Sequence, residues 1–175
     1  AFAALKNDKT VVTWGGSTEG GSLPSNLTNV EVTKIYSTSQ AFAALKTNYD
    51  VVAWGVENFG GTAPSDLTYV KEIYSTPYAF AALTYDGKVV TWGLSDMGGT
   101  APSDLTNVKK IYNTNGAFAA LKNDDSIVAW GYDGNGGSIP NNVADILALS
   151  VVDKKEEDNL KNTVTTTVTP TTTVT

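Results

Sequence analysis

Apolar residues along this chain fall in short runs separated by polar, Gly- and Pro-containing stretches, and no segment sustains a helical period between caps. In the run Ala41–Leu45, Phe42 and Ala44 lie on one side of an extended segment and Ala41, Ala43 and Leu45 on the other. Both sides are apolar, so the strand predicted here needs cover on both faces. After the polar break Thr47–Asp50, the run Val51–Trp54 predicts a second strand. That break, like Asn7–Thr10 and the Asp86-Gly87 pair, has hairpin-turn chemistry. A Gly-rich stretch then leads to Pro64, which a central strand would exclude, and a third strand is predicted at Ile73 and Tyr74. Only Val143–Val152 is open to a helical reading, and its alignment with the IYST segments of the earlier units favours a strand.

The same order of elements returns at a fixed period. AFAAL begins at Ala1, Ala41, Ala79 and Ala117; Trp14, Trp54, Trp92 and Trp130 are each followed by Gly, then by a Gly pair opening at Gly20, Gly60, Gly98 and Gly136, then by Pro24, Pro64, Pro102 and Pro140. The spacing is 38–40 residues, which divides residues 1–152 into the units 1–40, 41–78, 79–116 and 117–152. Short antiparallel strands at this period, with both faces apolar, predict an all-β array of propeller blades. A tryptophan buries about 150–250 Å² of surface, so the Trp14, Trp54, Trp92 and Trp130 row is expected as core between blades. The alternative is an exposed aromatic row for sugar binding.

The unit AFAALKTNYDVVAWGVENFGGTAPSDLTYVKEIYST resembles the repeat of the regulator of chromosome condensation family, in its small-residue strand ending in Ala-Leu, its Val-x-x-Trp-Gly strand and its Gly-rich lead to Pro. The short period is similar to that of the bacterial members of the family that inhibit β-lactamases. The resemblance covers residues 1 to about 152 and implies a propeller, usually of seven blades. It departs from the family in lacking the His before the Ala-Leu strand and in carrying Gly-Gly-Thr-Ala-Pro or a variant where Gly-Gln-Leu-Gly is usual. Nucleotide exchange on a small GTPase is not implied, because no motif for it matches. Four units do not complete a seven-bladed ring, so the chain is expected to be a piece of a larger propeller. The competing expectation is a closed four-bladed ring in which Ile146–Val152 pairs beside Ala1–Lys6.

Charge and composition narrow the chemistry. The chain has 12 basic against 18 acidic residues, a net charge of −6, and neither His nor Cys; all its basic residues are lysines. Imidazole and thiol chemistry, Cys/His zinc sites and bidentate guanidinium recognition of phosphate are excluded, and nucleic acid is not an expected partner. No apolar run is long enough to cross a bilayer, so membrane insertion is not expected. Carboxylates recur in the Trp-Gly loops at Glu19, Glu57, Asp96 and Asp133, but at unequal offsets from the Trp, which suits solvated loops better than a catalytic pair. Asp133–Asn135 has part of a calcium-loop pattern without its later Glu. The expected reading is therefore non-catalytic, with no cofactor and no metal.

The loops between Trp-Gly and Gly-Gly have equal length and different content, as a recognition rim on a constant scaffold would. Glu57, Phe59, Asp96, Met97, Tyr132 and Asp133 are the candidate binding residues, with packing against the neighbouring blade as the alternative for Phe59, Met97 and Tyr132. The partner expected is a protein or a small ligand. A structural spacer and a soluble enzyme inhibitor are the other functions open. Residues 153–175 read as a charged stretch followed by a linker or stalk, since 163–175 contain nine Thr, three Val and one Pro. That tail points to an extracellular or cell-surface setting, and Asn26-Leu27-Thr28 is a lone N-glycosylation triplet.

Overall fold

The computed structural model describes residues 1–140. Ile146–Val152, the charged stretch 153–161 and the Thr-rich tail, and with them the ring-closing pairing, lie outside the described residues. Among the described residues the chain forms eleven strands: β1 (Phe2–Leu5), β2 (Val11–Trp14), β3 (Val32–Ser37), β4 (Ala41–Lys46), β5 (Val51–Gly55), β6 (Val70–Ser75), β7 (Ala79–Thr84), β8 (Val89–Gly93), β9 (Val108–Asn113), β10 (Ala117–Lys122) and β11 (Ile127–Gly131).

These strands make one two-stranded sheet, β1-β2, and three three-stranded antiparallel sheets, β3-β4-β5, β6-β7-β8 and β9-β10-β11. The third strand of each sequence period therefore pairs with the first strand of the next, as Ile73 faces Ala82 and Tyr74 faces Ala81. A sheet runs across the boundary between two sequence units, so neighbouring units are tied by backbone hydrogen bonds as well as by packing. Each hairpin turn is closed by a left-handed residue: Tyr49 N–H donates to Lys46 O at 3.0 Å with Tyr49 at φ 68°, and Lys9, Gly87 and Asp125 repeat the geometry.

Sheets stack face against face. Ala41, Ala43 and Leu45 of β4 form one cluster with Leu67, Val70 and Ile73 and with Phe80, Ala82 and Trp92 of the next sheet. Ala79, Ala81 and Leu83 of β7 meet Ile111, Phe118, Ala120 and Trp130 in the same way. The alanines belong to the middle strand of each sheet and allow neighbouring sheets to approach. The strands nearest each other from sheet to sheet are β3, β6 and β9.

Each sheet is locked to the one before it by the same device. Trp54 Nε1–H donates to Gly20 O at 2.9 Å, Trp92 to Gly60 O at 3.0 Å and Trp130 to Gly98 O at 3.1 Å. The indole stacks on the Phe opposite it in the hairpin, with centroids 5.3, 5.1 and 5.5 Å apart in the three sheets. Gly60 lies on that Phe: a Cβ built there would be 2.6 Å from Phe80 Cδ2, and the residue sits at φ +93°. Glycine is needed for contact and conformation together. Trp54, Trp92 and Trp130 are buried, but Trp14 is 52% exposed, contrary to the expectation of a uniform core row. The reason is that no Gly-Gly loop lies against Trp14 among the described residues.

The strands β3, β6 and β9 carry a polar line. Lys34 Nζ donates to Glu72 Oε1 at 3.2 Å, joining two sheets, Tyr74 Oη–H donates to Glu72 Oε2 at 3.0 Å, and Asn113 Nδ2 donates to Ser75 O at 2.9 Å. Burial, aided by the hydrogen bond to the Glu72 carboxylate, pushes the Tyr74 phenol up from 10.0 to about 12.

Three outcomes follow for stability. Trp92→Ala is expected to cost roughly 3–5 kcal/mol, and Trp92→Phe about 1–3 kcal/mol because the Gly60 carbonyl loses its donor; urea midpoints measure both. Gly98→Ala and Gly136→Ala carry the same left-handed penalty of roughly 1–2 kcal/mol. Gly98→Ala should lower the midpoint further, since its Cβ would fall 2.6 Å from Phe118 Cδ2, whereas Gly136 meets nothing within 4 Å among the described residues. A raised phenol pKa favours the folded state below the unfolded value and loses that contribution as pH rises. The midpoint should therefore fall between pH 10 and about 12, and Tyr74→Phe should flatten that fall.

Candidate functional site

The two ends of each sheet are built differently. At one end the strand bearing the tryptophan runs into a short 3-10 turn, Glu57–Phe59, Ser95–Met97 or Asp133–Asn135, closed by a left-handed glycine. The backbone of these turns is fixed from outside. Val56 N–H donates to Gln40 O at 2.9 Å, Leu94 to Tyr78 O at 3.0 Å and Tyr132 to Gly116 O at 2.8 Å. A threonine in the preceding turn adds a second tie, as Thr38 Oγ1–H donates to Phe59 O at 2.9 Å, Thr76 to Met97 O at 3.3 Å and Thr114 to Asn135 O at 2.8 Å. The loops that vary in sequence therefore share one rigid backbone.

The six candidate residues are spread over this end without converging. Phe59, Met97 and Asn135 hold one equivalent position and Val56, Leu94 and Tyr132 another. Phe59 is half-buried, with its ring 5.9 Å from that of Tyr78 in the next sheet. Met97 is half-buried too, and its sulfur lies 3.0 Å from the place a Cβ on Gly116 would take. Both pack toward the following sheet, and Tyr132 stands half exposed. Glu57, Asp96 and Asp133 are exposed at turn positions that do not all correspond, and no group of three acidic side chains converges as a cation site among the described residues.

At the opposite end lies a feature the sequence reading passed over. Tyr49 in the β4–β5 turn, Tyr69 before β6 and Tyr85 in the β7–β8 turn form one cluster, with ring centroids 6.2, 5.1 and 5.0 Å apart. All three are exposed, at 44%, 57% and 49%. Their backbones are joined across two sheets, since Val70 N–H donates to Tyr49 O at 2.9 Å and Tyr85 N–H to Tyr69 O at 3.1 Å. Burial and the neighbouring phenols raise the Tyr85 pKa above its ordinary value.

Tyr49 and Tyr69 are also left-handed, at φ 68° and 59°, a conformation unusual for a bulky side chain. The corresponding positions in other units hold Lys9, Gly87 and Asp125 for Tyr49, and Asn29 and Asn107 for Tyr69. A signal was present in the sequence: three tyrosines stand in turn positions that the other units fill with polar residues or glycine. Nothing in the spacing, however, says that they meet.

A cleft of 370 Å³ adjoins this end, lined in part by Lys46, Asp50, Val52, Gly61 and Pro64. Its lysine and aspartate are paired with each other at 3.3 Å.

No family model matches the sequence, and no curated protein does. Solved structures do. Prp20p of Saccharomyces cerevisiae is 18% identical over 74% of this chain and 42% of its own, with a TM-score of 0.56. The same yeast protein, described as RCC1 (Prp20) bound to Kap60, gives 19% identity and a TM-score of 0.55. The ectodomain of the Physcomitrella patens receptor kinase CR4 is 17% identical over 72% of this chain and 34% of its own, with a TM-score of 0.53. The chain spans less than half the length of each, and at these identities the likeness concerns the fold. Sheets that share a strand across each repeat boundary, a Trp-Gly lock between them and this structural likeness identify the chain as an all-β propeller-type array of RCC1-like blades.

Proposed function

We propose that this chain is a non-catalytic module that binds a protein partner through exposed aromatic side chains at one end of its blade array. The observation that carries the reading is the cluster of Tyr49, Tyr69 and Tyr85: three exposed rings in mutual contact on a backbone tied across two sheets. Tyrosine is among the residues that dominate protein interfaces, because it offers a large, stiff contact area with a polar tip. Strain at two of the three positions adds support, since a sparsely populated backbone conformation tends to persist at sites of function. A protein partner is in keeping with the yeast relative, described with Kap60 bound and with binding to Gsp1p and histones; those partners belong to that protein.

A second reading places the partner at the Trp-Gly end, on Glu57, Phe59, Asp96, Met97, Tyr132 and Asp133. Exposure of Tyr132 at 51% and of Leu94 at 38%, on turns of constant backbone and variable content, favours it. Alanine at Tyr49, Tyr69 and Tyr85 is set against alanine at Phe59, Met97 and Tyr132, with affinity for a partner isolated by the intact chain as the readout. Tyr49→Ala and Tyr85→Ala are expected to weaken binding by roughly 30-fold, the equivalent of a 2 kcal/mol hot spot. Tyr69→Asn should weaken it similarly while moving stability by less than about 1 kcal/mol, because the loss of ring contact is offset by relief of the left-handed backbone. Loss confined to the Phe59, Met97 and Tyr132 set moves the surface to the other end. Loss in neither set removes the aromatic-rim reading altogether.

A further inference from the structure

In the first and third units a threonine of the outer strand ties back the loop that follows the glycine pair, and in the second unit it is missing. Thr91 Oγ1 in β8 accepts a hydrogen bond from Ala101 N–H at 2.9 Å, and Thr13 Oγ1–H in β2 donates to Gly21 O at 3.1 Å. In β5 the same position is Ala53, facing a loop with Gly61 and Ala63 at the partner positions, so neither bond forms there. Ala129 holds the position in the fourth unit, whose loop runs on past the described residues. A further tie is also absent from the second unit: Val89 N–H donates to Leu105 O at 3.0 Å, whereas Val51 makes no such bond to Leu67. The cleft of 370 Å³ opens at this place, between β5 and the loop 61–68, with Val51, Ala53, Gly61 and Ala63 in its wall. Ala63 is half-buried, and its N–H has no acceptor among the described residues.

The wall of the cleft states what it takes. Strand β5 pairs with β4 alone. Lys46 N–H donates to Asp50 O and Val56 N–H to Gln40 O, both at 2.9 Å, so the ladder to β4 runs through the even-numbered residues. The backbone groups of Val51 and Ala53 therefore point away from β4, on the cleft side, and an outer edge of this kind pairs with an extended chain. Charge is balanced here, since Lys46 and Asp50 neutralise each other at 3.3 Å. Asn26 also lines the cleft and stands where the next two units carry Asp66 and Asp104. An amide bonds both the N–H and the carbonyl of a peptide unit, which an ionised carboxylate cannot. We propose that the cleft binds an uncharged, extended segment of a partner protein. Its backbone lies beside Val51 and Ala53, and a serine or threonine hydroxyl reaches Gly61 O and Ala63 N–H, as Thr13 and Thr91 reach their counterparts. The proposal rests on the reading of a protein partner and names the segment seated next to the tyrosines, because Tyr49 adjoins Asp50 on the cleft's rim. Ordinary ligand cavities hold roughly 300–1,000 Å³, so this one suits a side chain with its flanking peptide groups.

Amide proton–nitrogen correlation spectra of the full chain test this, with acetyl-Ala-Thr-Ala-amide as the probe and acetyl-Ala-Val-Ala-amide as its isostere without the hydroxyl. The threonine peptide should shift the amides of Val51, Ala53 and Ala63 and bind roughly 10-fold more tightly than the valine peptide. Ala53→Thr supplies the hydroxyl from within the chain and should weaken binding at least roughly 10-fold. Thr91→Ala should open a second site, seen as shifts at Val89 and Ala101. Should that variant lose the dispersed spectrum of the folded chain, Ala53→Ser takes its place and should weaken binding as Ala53→Thr does. Equal affinity for the two peptides overturns the proposal, as does full affinity in Ala53→Thr. Tighter binding of N-acetylglucosamine at the same amides makes this a saccharide site, and no shift at Ala63 with any probe leaves the cleft to solvent; either result overturns it too. None of these variants alters Tyr49, Tyr69 or Tyr85. A cleft that fails here therefore leaves the tyrosine surface standing, and failure of that surface leaves the tripeptide result standing.

Discussion

Everything in this structure depends on how closely one three-stranded sheet can approach the next, and a glycine sets that distance. Where Gly60 lies on Phe80, the ring leaves no room for a Cβ, and the glycine carbonyl is the acceptor for the Trp92 indole. The contact combines a stacked aromatic pair, a buried hydrogen bond and a left-handed turn. Removing any one disturbs the others, because the indole loses its acceptor when the loop moves and the loop loses its floor when the Phe is gone. Burial of the indole without that bond would leave a donor unsatisfied.

That constraint propagates into the choice of strand residues. The middle strands β4, β7 and β10 are covered on both faces, and their alanines let large side chains of the neighbouring sheet reach the backbone. Phe80 and Phe118 are fully buried for the same reason, and Phe2 is not, because the glycine contact is missing there among the described residues. Between sheets the polar line of Lys34, Glu72 and Tyr74 adds fixed register at the strands that lie nearest one another.

A scaffold held this firmly frees its ends to differ from unit to unit. The 3-10 turns keep every backbone hydrogen bond while their side chains change from Glu57-Asn58-Phe59 to Ser95-Asp96-Met97 to Asp133-Gly134-Asn135. At the opposite end, equivalent left-handed positions hold Lys9, Tyr49, Gly87 and Asp125. Tyr49 and Tyr69 put bulky side chains on a left-handed backbone that the other units occupy with Lys9, Gly87 and Asp125 or with Asn29 and Asn107.

Fold class, period and the identity of the interface residues are legible in the sequence, because all three are local properties repeated in register. AFAAL, Val-x-x-Trp-Gly and the Gly pair each state a backbone requirement that recurs every 38–40 residues. Tertiary structure decided the rest. Pairing β6 with β7 across a unit boundary is a matter of which strand edges meet, and the spacing allows it without requiring it. Trp14 shares its sequence context with Trp54 yet stands exposed, since burial depends on what lies opposite rather than on the residue. The six Trp-Gly loop residues were legible as variable positions, but their division into half-buried Phe59 and Met97 and exposed Tyr132 follows from the approach of the next sheet. Tyr49, Tyr69 and Tyr85 were visible as single residues and unreadable as a cluster, because two turns and a loop from neighbouring sheets must be brought together before their rings touch.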